Sequence, residues 1–204
     1  MTYILLRNNL VQNGVIWTNV LFSAIILQKG EVNMRILGID PGYGIMGWGI
    51  VDMEGNRFKV ISYGAITTDS KDTMTDRLKH INFCLMEIIK EFSPTVASIE
   101  ELFFNTNITT AMKVGQARGV AMLCCANCGL DVFEYTPLQI KQALTGYGRA
   151  DKKQVKLMVK TVLCLQDVPR PDDTADALAA CICHGHSSSS RLGGIRKNVG
   201  MNCV

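Results

Sequence analysis

The sequence has no uninterrupted apolar run long enough to cross a membrane. Its nearest candidate, VIWTNVLFSAIIL at residues 15 to 27, is broken by Thr18 and Asn19 and falls short of the roughly 20 residues that a helix needs to span a bilayer. No clear small-x-small cleavage site follows it, so it makes a poor secretion signal despite lying behind Arg7. There is no paired cysteine framework either. Of eight cysteines, Cys84 and Cys164 stand alone, Cys124, Cys125 and Cys128 crowd one stretch, and Cys203 lies at the C-terminal end. That usage excludes a disulfide-built secreted scaffold and fits reduced thiols in a cytoplasmic protein. No internal repeat is evident.

What is present is the composition of one ordinary globular domain: 204 residues, 48% hydrophobic and 19% charged. Met34 is followed at once by the strand-like run RILGID. The working domain is therefore expected to begin there, with residues 1–33 an N-terminal extension, disordered or a misassigned start. Two further strand-like runs, MGWGIVDM and FKVISYGAI, are separated by Pro41-Gly42 and Glu54-Gly55-Asn56, the pattern of an antiparallel meander.

From Thr73 to Phe92 the apolar residues Leu78, Ile81, Leu85, Ile88 and Ile89 fall at helical spacing, and Ser93-Pro94 ends the run. TVASIE reads as a fourth strand and DVFEY as a fifth, with a helix from about Asn107 to Cys128 between them, closed by Gly129. Helices are then expected around Leu138 to Leu144, from Lys152 to about Leu165 and from about Asp172 to His184. Three strands followed by alternating helix and strand make a mixed α/β sheet of five strands flanked by helices. Residues 187–204 read as a basic, mobile tail.

The net charge of +3 conceals a local division. Residues 141–170 carry a net +5, whereas residues 171–186 hold three aspartates and no Lys or Arg. A solvated helix face accounts for a basic run by itself; its place beside an acidic one directs attention to phosphate.

Acids recur at the ends of the expected elements: Asp40 after ILGI, Glu100 and Glu101 after VASI, and Asp172, Asp173 and Asp176 at the start of the last helix. If the first and fourth strands are neighbours, Asp40 and Glu100 face one another, and strand alternation sends Glu101 to the other side. Helical spacing puts Asp173 and Asp176 on one face. Taken singly, each acid is explained as a turn, strand end or helix cap. Taken together they would repel unless a cation lay among them, and hard oxygen ligands select magnesium or manganese. Two such ions can activate water and stabilise a leaving oxygen.

The stretches ILGIDPG, IEELFF, VGQARGVA, VFEYTPLQIKQALTGYG, DKKQV and DDTADALA resemble the RuvC Holliday junction resolvases of the ribonuclease H-like superfamily over Met34 to about His186. The resemblance implies a RuvC-like nuclease domain over residues 34–186. It also implies metal-dependent hydrolysis of DNA phosphodiesters by paired symmetric nicks in a four-way junction, in recombination and DNA repair. It places catalysis and metal binding on Asp40, Glu100, Asp173 and Asp176, leaving out Glu101 and Asp172, with Mg2+ as cofactor, Mn2+ able to substitute, and two ions per site.

Lys141 and Lys152 match the family's DNA-contacting lysines, and the start of a helix at Lys152 itself attracts phosphate. Phe103 matches an aromatic that inserts near the junction crossover, although a core Phe would look the same. The family acts as a homodimer, and Gly115 and Gly119 would allow close backbone approach there or against the chain's own sheet. It works with the RuvA and RuvB branch-migration complex.

GIDPG also resembles the phosphate loop of the actin and sugar kinase ATPases, but a chain of this length lacks their second domain and second glycine-rich loop. A non-catalytic nucleic-acid binder would keep the basic segment without needing acids at three element ends. CICHGH, residues 181–186, has no matching pair elsewhere at zinc-finger spacing. Cys124, Cys125 and Cys128 read as small core residues.

Overall fold

In the computed structural model, which describes residues 34–102 and 108–189, Met34 is the first residue of strand β1 (Met34–Asp40). β2 (Ile45–Glu54) and β3 (Arg57–Thr67) follow as the meander, turning at Gly55 with φ +59°. β4 (Val96–Glu100) and β5 (Asp131–Tyr135) complete one sheet in the order β3-β2-β1-β4-β5. β1 to β3 are antiparallel, whereas β4 runs parallel to both β1 and β5. The expected mixed five-stranded sheet is the one found. Its parallel strands β1, β4 and β5 end on the same edge, where open α/β sheets carry their ligands.

Helices α1 (Met74–Phe92) and α2 (Ile108–Asn127) cover one face. The first starts where the Thr73 hydroxyl accepts a hydrogen bond from Asp76 N at 3.2 Å. It stops where Ser93, at φ 48°, turns left-handed before Pro94. Ile81, Leu85 and Ile89 form its buried stripe. Helices α3 (Pro137–Thr145), α4 (Lys152–Val162) and α5 (Asp172–Ser189) cover the other face. Thr136 with Gln139, and Asp151 with Gln154, make capping boxes that fix where α3 and α4 begin. α5 continues past the expected end at His184, with the Ser187 and Ser188 hydroxyls donating to the carbonyls of Cys183 and Gly185.

α5 lies directly on β1 and β2, and two glycines explain how. A Cβ at Gly38 would stand 2.1 Å from Ala177 O, and one at Gly47 would stand 1.9 Å from Asp173 O. No side chain fits at either position, so helix backbone occupies that space. The contact is dry: Ala177, Leu178, Cys181 and Ile182 are fully buried. At the opposite end of the sheet Arg35 grips Asp52, its cross-strand partner, at 2.6 and 2.9 Å and donates to Phe92 O at 2.7 Å. Burying Asp52 with a bidentate partner avoids the cost of an unpaired charge.

Candidate active site

The acids of the site are brought together by strand parity and by α5. Ile36 packs into the layer under α3 to α5, while Leu37 and Ile39 pack under α1 and α2. Asp40, an even number of residues from Ile36, therefore turns toward α5. On β4, Ser98 donates to Ala180 O at 2.8 Å, which places Glu100, two residues on, toward the same helix. The parallel register pairs Ile39 with Ile99, so Asp40 and Glu100 emerge side by side at the sheet edge. Asp173 and Asp176 descend from the first turns of α5, with the Asp173 backbone over Gly47, the residue opposite Asp40.

The electrostatics report the same convergence. Asp40 is pushed up to about 8, first by burial and then by repulsion from Glu100, Asp176 and Asp173. Glu100 is pushed up to about 7, again by burial first and then by Asp176. Burial also raises Asp176, against the pull of Lys152. Lys152 Nζ lies 3.1 Å from Asp176 Oδ2 and 3.5 Å from Asp172 Oδ2. Burial lowers the Lys152 ammonium, but its bonds to Asp176 and Asp172 outweigh that and hold it above the usual lysine value. A cleft of about 210 Å³ is lined by Glu100, Asp176, Lys141 and Lys152 over the apolar floor of Pro137, Ile140 and Val155.

Among the described residues, no three Asp, Glu, His or Cys side chains are drawn into a finished ligand set. The donor chemistry still fits a hard divalent cation. Carboxylates that resist ionisation because they are buried beside each other are relieved by added positive charge, and Lys152 already supplies one such charge to Asp176.

Asp172 and Glu101 are not among the carboxylates that repel Asp40 or Glu100, although Asp172 shares Lys152 with Asp176 at the rim. Asp172 is exposed and bonds Lys156 Nζ at 2.5 Å, while Glu101 N donates to Tyr135 O at 2.8 Å. The sequence suggests an open phosphate site at the start of α4. The Asp151 carboxylate instead accepts from Gln154 N at 2.8 Å, so the cap consumes a free N–H and the cation at this position is the Lys152 side chain itself. Phe103 lies outside the described residues. Gly47 was missed as a positioning element, and its signal was the alternation of glycines in MGWGIV.

The CICHGH stretch packs into the core over most of its length. Cys181, Cys183 and His184 are buried, His184 is hydrogen-bonded to the Tyr135 hydroxyl at 2.9 Å, and burial lowers His184 to about 4. Cys124 and Cys125 are likewise core residues, with burial pushing both thiols up to about 12; Cys128 is exposed.

A mixed five-stranded sheet with helices on both faces and acids meeting at one edge is the architecture of the ribonuclease H-like resolvases. The yeast mitochondrial Holliday junction resolvase Ydc2 shares the fold, with a TM-score of 0.57 at 13% identity over 81% of this chain and 83% of that one. The family model for crossover junction endodeoxyribonuclease RuvC matches residues 36–184, and the chain belongs to that family. It is 60% identical over 156 residues to the crossover junction endodeoxyribonuclease RuvC of Alkaliphilus oremlandii (strain OhILAs), covering 76% of this chain and 95% of the relative. A structure of T. thermophilus RuvC in complex with Holliday junction substrate superposes with a TM-score of 0.74 at 34% identity, covering 77% of this chain and 96% of that one. Among the described residues, no helix is long and apolar enough to cross a membrane.

Proposed function

We infer that this protein is an endodeoxyribonuclease that resolves four-way DNA junctions by metal-dependent paired nicks, in recombination and repair and in the cytoplasm. Family membership carries the class of reaction. The observation that carries the chemistry is the cleft that gathers two carboxylates and two ammonium groups, Glu100 and Asp176 with Lys141 and Lys152.

In this reading Asp40, Glu100, Asp173 and Asp176 hold magnesium, replaceable by manganese, with two ions at each site. Bound there, such ions would supply the positive charge that an in-line displacement by water needs. The residues do the rest. Lys141 and Lys152 hold the phosphate that an acidic edge would otherwise repel. Lys152, with its side chain 57% exposed, is free to exchange Asp176 for a DNA phosphate.

Symmetric cutting calls for two copies of the chain, and α2 has a face suited to pairing. Met112, Gly115, Gly119 and Leu123 fall along one side, Met112 and Leu123 are exposed, and a Cβ on either glycine would meet nothing within 4 Å. The space beside these glycines is not filled by the chain's own sheet, which supports the reading that a second copy approaches there. RuvA and RuvB are the partners that family membership suggests. The nuclease domain comprises residues 34–186, with residues 1–33 an extension that catalysis does not require.

The test is nicking of a synthetic four-way junction with and without magnesium. Symmetric strand cuts that require the metal are expected. Tight binding with no cleavage in any divalent metal would identify a non-catalytic junction binder, and ATP turnover would point to the kinase-like relatives of this fold.

A further inference from the structure

On the face of the sheet opposite Lys141 and Lys152, two cations converge on one aromatic ring. Tyr43 belongs to the loop that leaves Asp40. The Arg77 guanidinium of α1 lies 4.4 Å from its ring centroid, and Lys113 Nζ of α2 lies 5.5 Å from the same centroid. Arg77 is fixed there, its Nε donating to Thr68 Oγ1 at 2.7 Å and its Nη2 to Tyr43 O at 3.1 Å. Thr68 Oγ1 in turn donates to Tyr43 O at 2.6 Å, and Thr68 N to Gly44 O at 3.0 Å. The loop beside Asp40 is thus latched, with two cations over its ring.

Neither cation forms a salt bridge to a carboxylate among the described residues. The nearby Asp76 is engaged by Thr73 and Lys79. A ring face attracts a cation more weakly than a carboxylate does and does not cancel the repulsion between two cations that share it. An anion between them would relieve that repulsion. Lys113 is exposed, so an anion can reach it. Because Tyr43 is only three residues from Asp40, the Cα atoms of the two lie within about 11 Å of each other.

We propose that Tyr43, Arg77 and Lys113 form a second phosphate seat that grips the DNA backbone on the flank of the acid cluster away from Lys141 and Lys152. This rests on the nuclease reading and extends it: the sheet edge is bordered by cations on both faces, so a strand crossing it is held on either side of the acids. Arg77 is the fixed wall of the seat, Tyr43 its platform and Lys113 its movable arm.

The experiment measures binding of a fluorescent four-way junction by full-length protein in calcium across a salt series, with gels confirming that the strands stay intact. Lys113→Gln should weaken binding several-fold at low salt. It should also make the log–log salt slope shallower by about 0.9, or about 1.8 if both subunits of a dimer release a phosphate. Lys113→Arg should keep the wild-type slope. Lys79→Gln, which removes an exposed lysine paired with Asp76 on α1, should do so as well.

A wild-type slope and affinity in Lys113→Gln overturns the seat, as does an equal loss in Lys79→Gln, which would mean that any surface charge suffices. Wild-type protein that neither binds the junction in calcium nor nicks it in magnesium sinks the nuclease reading itself, and the seat with it. Wild type that binds in calcium and nicks in magnesium, beside an unaltered Lys113→Gln, sinks the seat alone.

Discussion

Asp40 stands opposite Gly47 in the β1–β2 ladder, and the space that a side chain at Gly47 would need is filled by the carbonyl of Asp173. The bare backbone at Gly47 is what lets the first turn of α5 settle beside Asp40. Gly47→Ala places a methyl group 1.9 Å from that oxygen, so either the helix lifts or the strand bends, at a cost of about 1–3 kcal/mol or more. Reduced thermal stability together with a loss of cleavage that extra metal does not restore is the expected result. Full activity at wild-type stability would show that the close contact does not position the acids.

Asp40→Asn, Glu100→Gln, Asp173→Asn and Asp176→Asn should each abolish strand cleavage while leaving junction binding largely intact, since Lys141 and Lys152 remain. Glu101→Gln and Asp172→Asn serve as controls, as neither carboxylate is among those that raise Asp40 or Glu100. Calcium should support binding without cleavage, because its looser coordination does not hold water and phosphate in line. A folded control variant as inactive as Asp40→Asn would refute this choice of residues.

Metal-free protein should lose stability as pH rises from about 4 to about 8. Asp40 and Glu100 titrate in the folded chain at about 8 and about 7, above their ordinary carboxylate values. Between those limits the folded state retains protons that the unfolded state has released. The stabilisation from that retention is complete at low pH and gone above about 8. Asp40→Asn, which cannot ionise, should flatten the profile in chelator and raise stability near pH 8 by about 1–3 kcal/mol. Magnesium affinity should rise over the same interval, since binding the cation displaces those protons. Unfolding temperatures in EDTA from pH 5 to 8 check the first point and calorimetric titration the second; parallel profiles for the variant and the wild type would contradict the account.

Lys141→Ala and Lys152→Ala should weaken cleavage chiefly through poorer DNA engagement. Each should make the salt slope of junction binding shallower by about 0.9 for every phosphate no longer held, to a similar degree across junction sequences, since phosphate contacts do not read bases. Lys152→Ala should additionally leave Asp176 without its partner and lower the metal concentration needed for half-maximal rate, because a cation that competes with the metal for that carboxylate is gone. Wild-type slopes accompanied by abolished cleavage would assign these lysines to the chemical step.

A chain starting at Met34 should match the full-length protein in unfolding temperature and in nicking. Met34 opens β1 and pairs in register with Met53. An insoluble or inactive truncated protein would show that residues 1–33 belong to the working domain.

Much of this was legible in the sequence, because it depends on neighbours along the chain. Strand alternation separates Glu100 from Glu101, and helical spacing joins Asp173 to Asp176. Residue chemistry supplied the rest, since a hard cation needs oxygen donors and a DNA strand needs cations. Tertiary structure alone decided that β4 lies beside β1 and that α5 rests on bare backbone at Gly38 and Gly47. It also decided that Lys152 reaches Asp176 while Asp151 closes the helix start, and that Arg77 and Lys113 meet over Tyr43. Those pairings join segments far apart in sequence, and their geometry follows from how two helical layers pack on a twisted sheet, which no local periodicity encodes.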